Sequence, residues 1–279
     1  MTNNNENNEL RKTVINWYPG HMAKTKRLIK ENLNLIDVVY EVIDSRIPYS
    51  SKIIDIDEVI KNKPRILIFN KYDLCDKKET DKWIKYYKEN GYKVVTTNLN
   101  EVGSVKDVLK ITDTVESRRT RILIVGIPNV GKSTLINRLV GKKATNTGNK
   151  PGITKNVNWI RINEKFELMD TPGILWPKFE NDTVAFNLAS LRGIKEEVLP
   201  IGKVVIYILE TLNKYYPNIL KERYGIEEMP EDILECFDII GKRRGCLVKG
   251  GEVDYDKVCN VVMNDINEYI KGVTFDRYE

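Results

Sequence analysis

The stretch Gly126-Ile-Pro-Asn-Val-Gly-Lys-Ser133 follows a short apolar run, residues 121–125, and precedes a helical pattern. Its two glycines let the backbone wrap around a phosphate group with the N–H groups pointing inward, and the following helix adds its positive N-terminal end. Lys132 is expected to reach the β- and γ-phosphates, and the Ser133 hydroxyl is expected to bind Mg²⁺. The stretch therefore predicts a phosphate-binding loop between a strand and a helix.

A second motif, Asn70-Lys-Tyr-Asp73, follows another apolar run, residues 65–69. The Asp73 carboxylate can accept hydrogen bonds from N1–H and from the exocyclic amine of guanine, a pair of donors that adenine does not offer. Asn70 is expected to tie this box to the phosphate loop, while the Lys71 stem covers one face of the base. At the end of a further strand, the backbone of Thr97-Asn98 is expected to contact the guanine O6.

Asp170-Thr-Pro-Gly173 also follows a strand and predicts a carboxylate near Mg²⁺, with the Gly173 N–H close to the γ-phosphate. Thr154, within Lys150-Pro-Gly-Ile-Thr154, is expected to close over the γ-phosphate and complete the Mg²⁺ ligands with Ser133 and Asp170. A Pro-Gly-x-Thr sequence can also form an ordinary turn. The neighbouring motifs favour the switch interpretation.

The order of these motifs is inverted relative to an ordinary GTPase, in which the phosphate loop precedes the guanine box. Here residues 70–73 come first, followed by residues 126–133, Thr154 and residues 170–173. The same pocket can be assembled in either order if the chain is circularly permuted. We therefore predict a permuted domain that binds GTP and GDP.

The position after the Asp-Thr-Pro-Gly motif holds Ile174, where many GTPases have a glutamine that orients the attacking water. An aliphatic side chain cannot do this. The single histidine, His21, can orient or deprotonate water near neutral pH. A structural or helix-capping histidine is the alternative interpretation.

The pattern of strands and helices predicts an α/β fold with a doubly wound, mostly parallel sheet. Strands are predicted at residues 36–43, 65–69, 93–97, 121–125, 157–162 and 165–169. Helices are predicted at residues 22–35, 80–89, 104–115, 183–192, 202–216, 231–240 and 254–270. We predict a disordered tail over residues 1–14, a GTPase domain over 15–178 and a smaller all-α domain over 179–279.

Composition limits the class of protein. With 41% apolar and 30% charged residues, the chain has enough apolar residues for a folded core. The four cysteines lack C-x-x-C spacing and only one histidine is present, which argues against a zinc site and fits a reducing cytoplasm. No apolar run approaches the ~18 residues that span a bilayer. Neither end carries a lipidation motif, so a membrane-docked switch has no support.

The net charge of +5 permits a nucleic-acid partner without requiring one. Lys242, Arg243, Arg244 and Lys249 form one basic cluster that can neutralise phosphates. A solvated helix face explains such a cluster as well. RNA contact at this cluster is therefore a hypothesis.

Taken together, the motifs closely resemble the ribosome biogenesis GTPase A family of circularly permuted GTPases. The matching blocks are Trp17-Tyr-Pro-Gly-His-Met22, Ile43-Asp-Ser-Arg-Ile-Pro48, Asn70-Lys-Tyr-Asp73, residues 126–134, Pro151-Gly-Ile-Thr154, residues 170–178, Leu220-Lys-Glu-Arg-Tyr-Gly225 and Lys242-Arg-Arg-Gly-Cys246. The turn Thr97-Asn98-Leu99 departs from the serine-containing turn that is usual in the family.

The resemblance implies a slow GTPase that is stimulated by K⁺ and by the large ribosomal subunit. Such an enzyme binds the immature particle, with its rRNA and ribosomal proteins, in the GTP state and leaves after hydrolysis. It also implies a catalytic role for His21 and a monovalent cation site at Asn129. The phosphate-binding set implied is Asn129, Val130, Gly131, Lys132, Ser133, Thr134 and Gly173. We expect a cytoplasmic monomer. The alternative is a module that senses GTP and recruits partners, with hydrolysis incidental.

Overall fold

The protein is described by a computed structural model over residues 20–54, 56–101, 103–113, 119–144, 158–174, 179, 181–194 and 200–278. The strands are β1 (Val38–Asp44), β2 (Arg65–Asn70), β3 (Lys93–Thr96), β4 (Thr120–Val125), β5 (Asn158–Arg161) and β6 (Phe166–Asp170). Helix α1 (Gly20–Asn32) precedes β1, and between the strands lie helices α2 (Ile56–Ile60), α3 (Lys77–Glu89), α4 (Ser104–Thr112) and α5 (Lys132–Val140).

The six strands form one sheet in the order β3-β2-β1-β4-β6-β5, with all neighbours parallel except the hairpin β5-β6. Every residue of the central strand β1 is buried, because helices cover both faces of a doubly wound sheet. This architecture confirms the predicted fold class. The sheet also determines where the motifs lie, because parallel strands end at the same edge.

The strand ends bring the motifs together. Asp44 at the end of β1 pairs in register with Asn70 at the end of β2. Asp170 ends β6, and the phosphate loop leaves β4 two strands away from β2. The guanine box, the phosphate loop and Asp170 therefore all start from the carboxyl edge of the sheet.

The C-terminal region is helical, as predicted. Its helices are α6 (Asp182–Ser190), α7 (Ile201–Tyr215), α8 (Pro217–Tyr224), α9 (Ile233–Arg244) and α10 (Tyr255–Asn264), followed by a wider helical turn, Asp265–Tyr269. The predicted domain boundary near residue 178 lies outside the described residues and stays a prediction. Within the described part of the chain, no helix has both the length and the apolar character needed to cross a membrane.

Several helical features differ from the prediction. The short helices α2 and α8 were not predicted, because five to eight residues give little periodicity to read. Helix α3 begins at Lys77, three residues earlier than predicted, because the Asp76 side chain accepts hydrogen bonds from two backbone N–H groups of its first turn. The helix predicted over residues 254–270 changes to the wider turn after Asn264.

The last residues of the chain pack against the sheet domain. Arg46, in the loop after β1, is 1% exposed and donates to the Ile266 carbonyl oxygen at 3.1 Å. Its own carbonyl accepts a hydrogen bond from Phe275 N at 2.8 Å. The buried Asp276 carboxylate accepts hydrogen bonds from Ser50 and Asn187. The helical region is thus bound to the sheet by buried polar contacts.

Candidate nucleotide site

The phosphate loop connects β4 to α5 and contains a glycine that its packing requires. Gly131 has φ +97°, a left-handed conformation that side chains with a Cβ rarely adopt. A Cβ at this position would clash with the Asn70 side-chain amide. The absence of a side chain therefore lets the guanine box approach the phosphate loop.

Two hydrogen bonds join the guanine box to this loop. Asn70 Nδ2 donates to the Val130 carbonyl oxygen at 2.6 Å, and Lys71 Nζ donates to the Asn129 carbonyl oxygen at 2.8 Å. Lys71 also pairs with the Asp44 carboxylate at 2.9 Å. The link predicted for Asn70 is therefore present, across sixty positions of sequence.

Asp73 lies at a cleft of about 360 Å³ beside the phosphate loop. Asn98 and Leu99 line the same cleft, as do Gly131 and Thr134. Because an Asp carboxylate and apolar Leu99 face one cavity, the cleft offers both an acceptor and a hydrophobic surface to a flat base. The structure thus brings part of the predicted guanine set and part of the predicted phosphate set to one cleft.

Thr97 requires a correction. Its backbone N–H donates to the Phe69 carbonyl oxygen at 2.8 Å, so it is not available to a guanine O6. The residue is 1% exposed, and its hydroxyl donates to Asn70 Oδ1 at 3.1 Å. Thr97 therefore fixes the Asn70 side chain through this buried hydrogen bond. Of the predicted pair, only Asn98 lines the cleft.

Lys132 and Asp170 form a buried pair of opposite charges below the loop. Lys132 Nζ donates to the carbonyl oxygens of Gly126 and Ile127 at 2.9 and 2.8 Å. Burial lowers the pKa of Lys132, and the Asp170 carboxylate opposes this effect. Burial raises the pKa of Asp170, and the Lys132 ammonium opposes it.

The residues present fit a magnesium ion. Asp170 Oδ1 is fully buried and has no hydrogen-bond partner in the described part of the protein. An unsatisfied buried carboxylate oxygen is costly unless a cation binds it. Ser133, at the start of α5, would be the hydroxyl ligand. Thr154, the third predicted ligand, lies outside the described residues.

The segment after β6 approaches the phosphate loop closely. Ile174 N donates to the Gly126 carbonyl oxygen at 3.1 Å, and a Cβ at Gly173 would lie 2.8 Å from Pro128 N. The Ile174 side chain is fully buried. It therefore contributes packing and supplies no group that could orient water. His21 lies in α1, but its side chain is not among those described, so its catalytic role stays a prediction.

Asn129, the predicted ligand of the monovalent cation, has φ +62°. Its side-chain Nδ2 donates to the Arg192 carbonyl oxygen at 2.5 Å. The phosphate loop is thereby joined to the segment that follows α6. The cation role of Asn129 stays a prediction.

Five residues of the helical region also line the cleft at Asp73, here called the base cleft: Leu191, Arg192, Asn267, Glu268 and Lys271. Sequence reasoning did not find them, since they belong to no nucleotide motif and lie more than 100 positions from the guanine box. No local signal in the sequence marks them. Only the docking of the helical region brings them to the cleft.

The basic cluster is partly neutralised. The side chains of Lys242, Arg243 and Lys249 are exposed. Arg244, in contrast, pairs with the buried Asp265 carboxylate at 3.3 Å, alongside Arg223. Arg244 of α9 and Arg223 of α8 therefore share one carboxylate in the turn after α10, and RNA contact at the basic cluster stays a prediction.

Comparisons with known proteins agree with this geometry. The family model described as "50S ribosome-binding GTPase" matches residues 121–236. The ribosome biogenesis GTPase A of Priestia megaterium is 48% identical over 278 residues, covering 94% of this chain and 96% of the relative. The protein of the same name from Thermotoga maritima is 34% identical, covering 95% of each chain.

Solved structures support the same assignment. The crystal structure of GNP-bound YlqF from T. maritima matches with a TM-score of 0.70 and 30% identity, covering 91% of this chain and 98% of that one. A GDP-bound structure of the same protein matches with a TM-score of 0.69. The chain, whose phosphate loop and guanine box meet in one cleft despite their inverted order, belongs to the ribosome biogenesis GTPase A family of GTP-hydrolysing enzymes.

Proposed function

We propose that this enzyme is an assembly factor for the large ribosomal subunit. It binds the immature particle in the GTP state, is stimulated by the particle to hydrolyse GTP, and leaves after hydrolysis. The names of the relatives and the description of the family model support this proposal. The expected setting is the cytoplasm, and the expected form is a monomer.

The observation that best supports the proposal is that residues from both parts of the molecule line the base cleft. Asp73 and Gly131 line it from the sheet domain, while Glu268 and Lys271 line it from the helical region. A nucleotide bound there contacts both parts of the molecule. Hydrolysis of GTP to GDP, or release of the nucleotide, can therefore change the orientation of the helical region. The surface that this region presents to the particle would change with it.

The residues have distinct roles in this proposal. Asp73 recognises guanine, and the backbone N–H groups of residues 129–134 with Gly173 hold the phosphates. Lys132 moves from its two carbonyl partners to the β- and γ-phosphates. Ser133, Thr154 and Asp170 would hold Mg²⁺, which would supply positive charge to offset that of the phosphates.

Water must be oriented by a group other than Ile174, because that side chain is aliphatic and fully buried. We assign this role to His21, and we assign to Asn129 the binding of a stimulating K⁺ ion. Residues 15–178 form the GTPase domain in this proposal. Residues 179–279 contact the particle, and the RNA contacts in this proposal are Lys242, Arg243, Arg244 and Lys249.

The side chain of Ile174 also supports a second function, that of a GTP-sensing module. Ile174, at the position where many GTPases have the water-orienting glutamine, is buried and aliphatic, as expected for a GTP-sensing module whose hydrolysis is incidental. In that case nucleotide state would control partner binding, and the particle would not accelerate hydrolysis.

Single-turnover GTP hydrolysis, measured with and without large subunits in K⁺ or Na⁺, separates the two functions. Stimulation by the particle, greater in K⁺ and lost in His21→Ala, supports the assembly GTPase. Equal rates with and without the particle favour the sensing module. Equal cosedimentation of the GTP-analogue and GDP forms with large subunits would contradict nucleotide control in both cases.

A further inference from the structure

An aromatic cleft of about 640 Å³ lies between the loop after β1, helix α3 and the C-terminal end of the described chain. Six of its ten lining residues are aromatic, including Tyr49, Trp83, Tyr86 and Tyr278. The Trp83 and Tyr278 rings meet edge to face, with centroids 5.1 Å apart. The cleft is thus assembled from parts of the chain that are distant in sequence.

Several of these rings remain open to solvent. Tyr49 is 41% exposed, Tyr86 39% and Tyr278 37%. Burying three such rings would release much apolar surface from water, and grouped exposed aromatic side chains mark interaction surfaces. The cleft therefore has the character of a binding surface.

The charged residues at the cleft indicate which class of partner it can bind. Lys52 lies 5.4 Å from the centre of the Tyr92 ring, and Arg277 also lines the cleft. No carboxylate occurs among the lining residues that the structure describes. Arg277 is paired with Glu79 at 3.0 Å, and the charge of Lys52 acts on the buried Glu41 carboxylate, so both cations at the cleft are partly compensated. Flat rings beside positive charge suit a partner that is both aromatic and anionic.

We propose that this cleft binds single-stranded or bulged RNA. The bases stack on Tyr86 and Tyr278, and a phosphate lies near Lys52. This proposal rests on the proposed function, in which the partner particle contains rRNA. A peptide could also occupy an aromatic groove, but the positive charges among the described lining residues, Lys52 and Arg277, favour a partner that carries phosphates.

The position of the cleft connects it to the nucleotide. Gly272 N donates to the carbonyl oxygen of Leu74, the residue after the guanine box, at 2.8 Å. Thr274 Oγ1 accepts from Asp76 N at 3.0 Å, at the start of α3. The same short segment ends at Tyr278 in the cleft, and α3 supplies Trp83 and Tyr86. RNA bound here would therefore touch the two elements attached to the guanine box.

The test uses the full chain with a GTP analogue and a fluorescent single-stranded RNA of mixed sequence, measured by anisotropy. We expect Tyr86→Ala and Tyr278→Ala each to weaken RNA binding by about tenfold, and Tyr86→Phe to retain it because the ring remains. Lys52→Gln should reduce the slope of log affinity against log salt concentration by about one, because one fewer counterion is released on RNA binding. GDP affinity should not change in any variant.

Tyr255→Ala is the matched control. Tyr255 is 40% exposed and packs edge to face on Phe237, as Tyr86 does on Trp83, but it lies in α10 outside the cleft. Unchanged RNA binding in the cleft variants, or an equal loss in Tyr255→Ala, would overturn the proposal.

Association with large subunits distinguishes the remaining outcomes. If the cleft variants bind RNA normally but lose the particle, the occupant is a protein and the RNA proposal is wrong. If the wild-type chain binds RNA through the cleft but never binds large subunits, the RNA site stands and the proposed assembly function fails.

Discussion

Asn70 links more of the nucleotide site than any other single side chain described above. Its amide nitrogen donates to the Val130 carbonyl, its amide oxygen accepts from Thr97, and it occupies the space that a Cβ at Gly131 would fill. In a permuted chain the guanine box and the phosphate loop lie on separate strands, so these contacts hold the two halves of the site in register.

Gly131→Ala is predicted to separate the two motifs. The added methyl group would clash with the Asn70 amide, and a φ of +97° costs a side chain about 1–2 kcal/mol. We expect GDP affinity, measured by isothermal titration, to fall about tenfold or more. Gly141→Ala is the control, because its φ is +74° and nothing lies within 4 Å of the added Cβ. Equal affinities in the two variants would contradict the packing argument.

Asp170→Asn is predicted to weaken both the nucleotide-free protein and its response to metal. The amide removes the negative charge that compensates the buried Lys132 ammonium, so the nucleotide-free protein should unfold at a lower temperature than wild type. The gain in melting temperature that wild-type protein shows with GTP and Mg²⁺ should largely disappear. Chelation of Mg²⁺ should lower the melting temperature of the wild-type complex and barely affect that of the variant. A full Mg²⁺ response in the variant would exclude Asp170 as a ligand.

At the scale of elements, the loop after β1 joins three parts of the molecule. Asp44 accepts hydrogen bonds from Arg46 and from Lys71 of the guanine box, and Arg46 reaches the carbonyl of Ile266 in the helical region. Both Asp44 and Arg46 are almost fully buried. Removing one partner of a buried ion pair leaves the other charge uncompensated, which is strongly destabilising.

This junction predicts a pH dependence. Burial alone would raise the pKa of Asp44, but the charges of Arg46 and Lys71 outweigh it and hold that pKa well below its usual range. The stability from ionised Asp44 is therefore fully present above the unfolded pKa of about 3.9 and is lost as the pH falls below it. We expect Asp44→Asn to lower the free energy of unfolding by about 3 kcal/mol at pH 7.

Urea unfolding of both proteins at pH 7 and near pH 3 checks this sign. The difference between wild type and Asp44→Asn should be large at neutral pH and should shrink in acid. A difference that stays constant over this range would show that Asp44 is not held ionised by its partners.

At the scale of the whole molecule, residues of both the sheet domain and the helical region line the base cleft. Glu268 and Lys271 belong to the helical region, and the segment that follows them is hydrogen-bonded to Leu74 beside the guanine box. Ligand that binds only the closed arrangement stabilises it by mass action. Nucleotide binding should therefore order the end of the chain.

Hydrogen exchange measured by mass spectrometry tests this coupling. The amides of Gly272 and Phe275, which donate to Leu74 and Arg46, should exchange more slowly when GDP is bound. Peptides from α9 (Ile233–Arg244) serve as the internal control, because their hydrogen bonds lie within one helix, and their exchange should not change. Protection spread equally over both regions would indicate global stabilisation without a specific link.

The sequence by itself determined the parallel sheet and the residues of the nucleotide motifs. Both depend on local requirements: buried strands read as continuous apolar runs, and a phosphate loop needs glycines and a lysine at fixed spacing. Tertiary structure alone decided that Thr97 supports Asn70 from behind, that Arg244 pairs with Asp265, and that Glu268 and Lys271 wall the base cleft. These contacts join side chains far apart in sequence, and they exist only because the strand order and the docked helices bring them together.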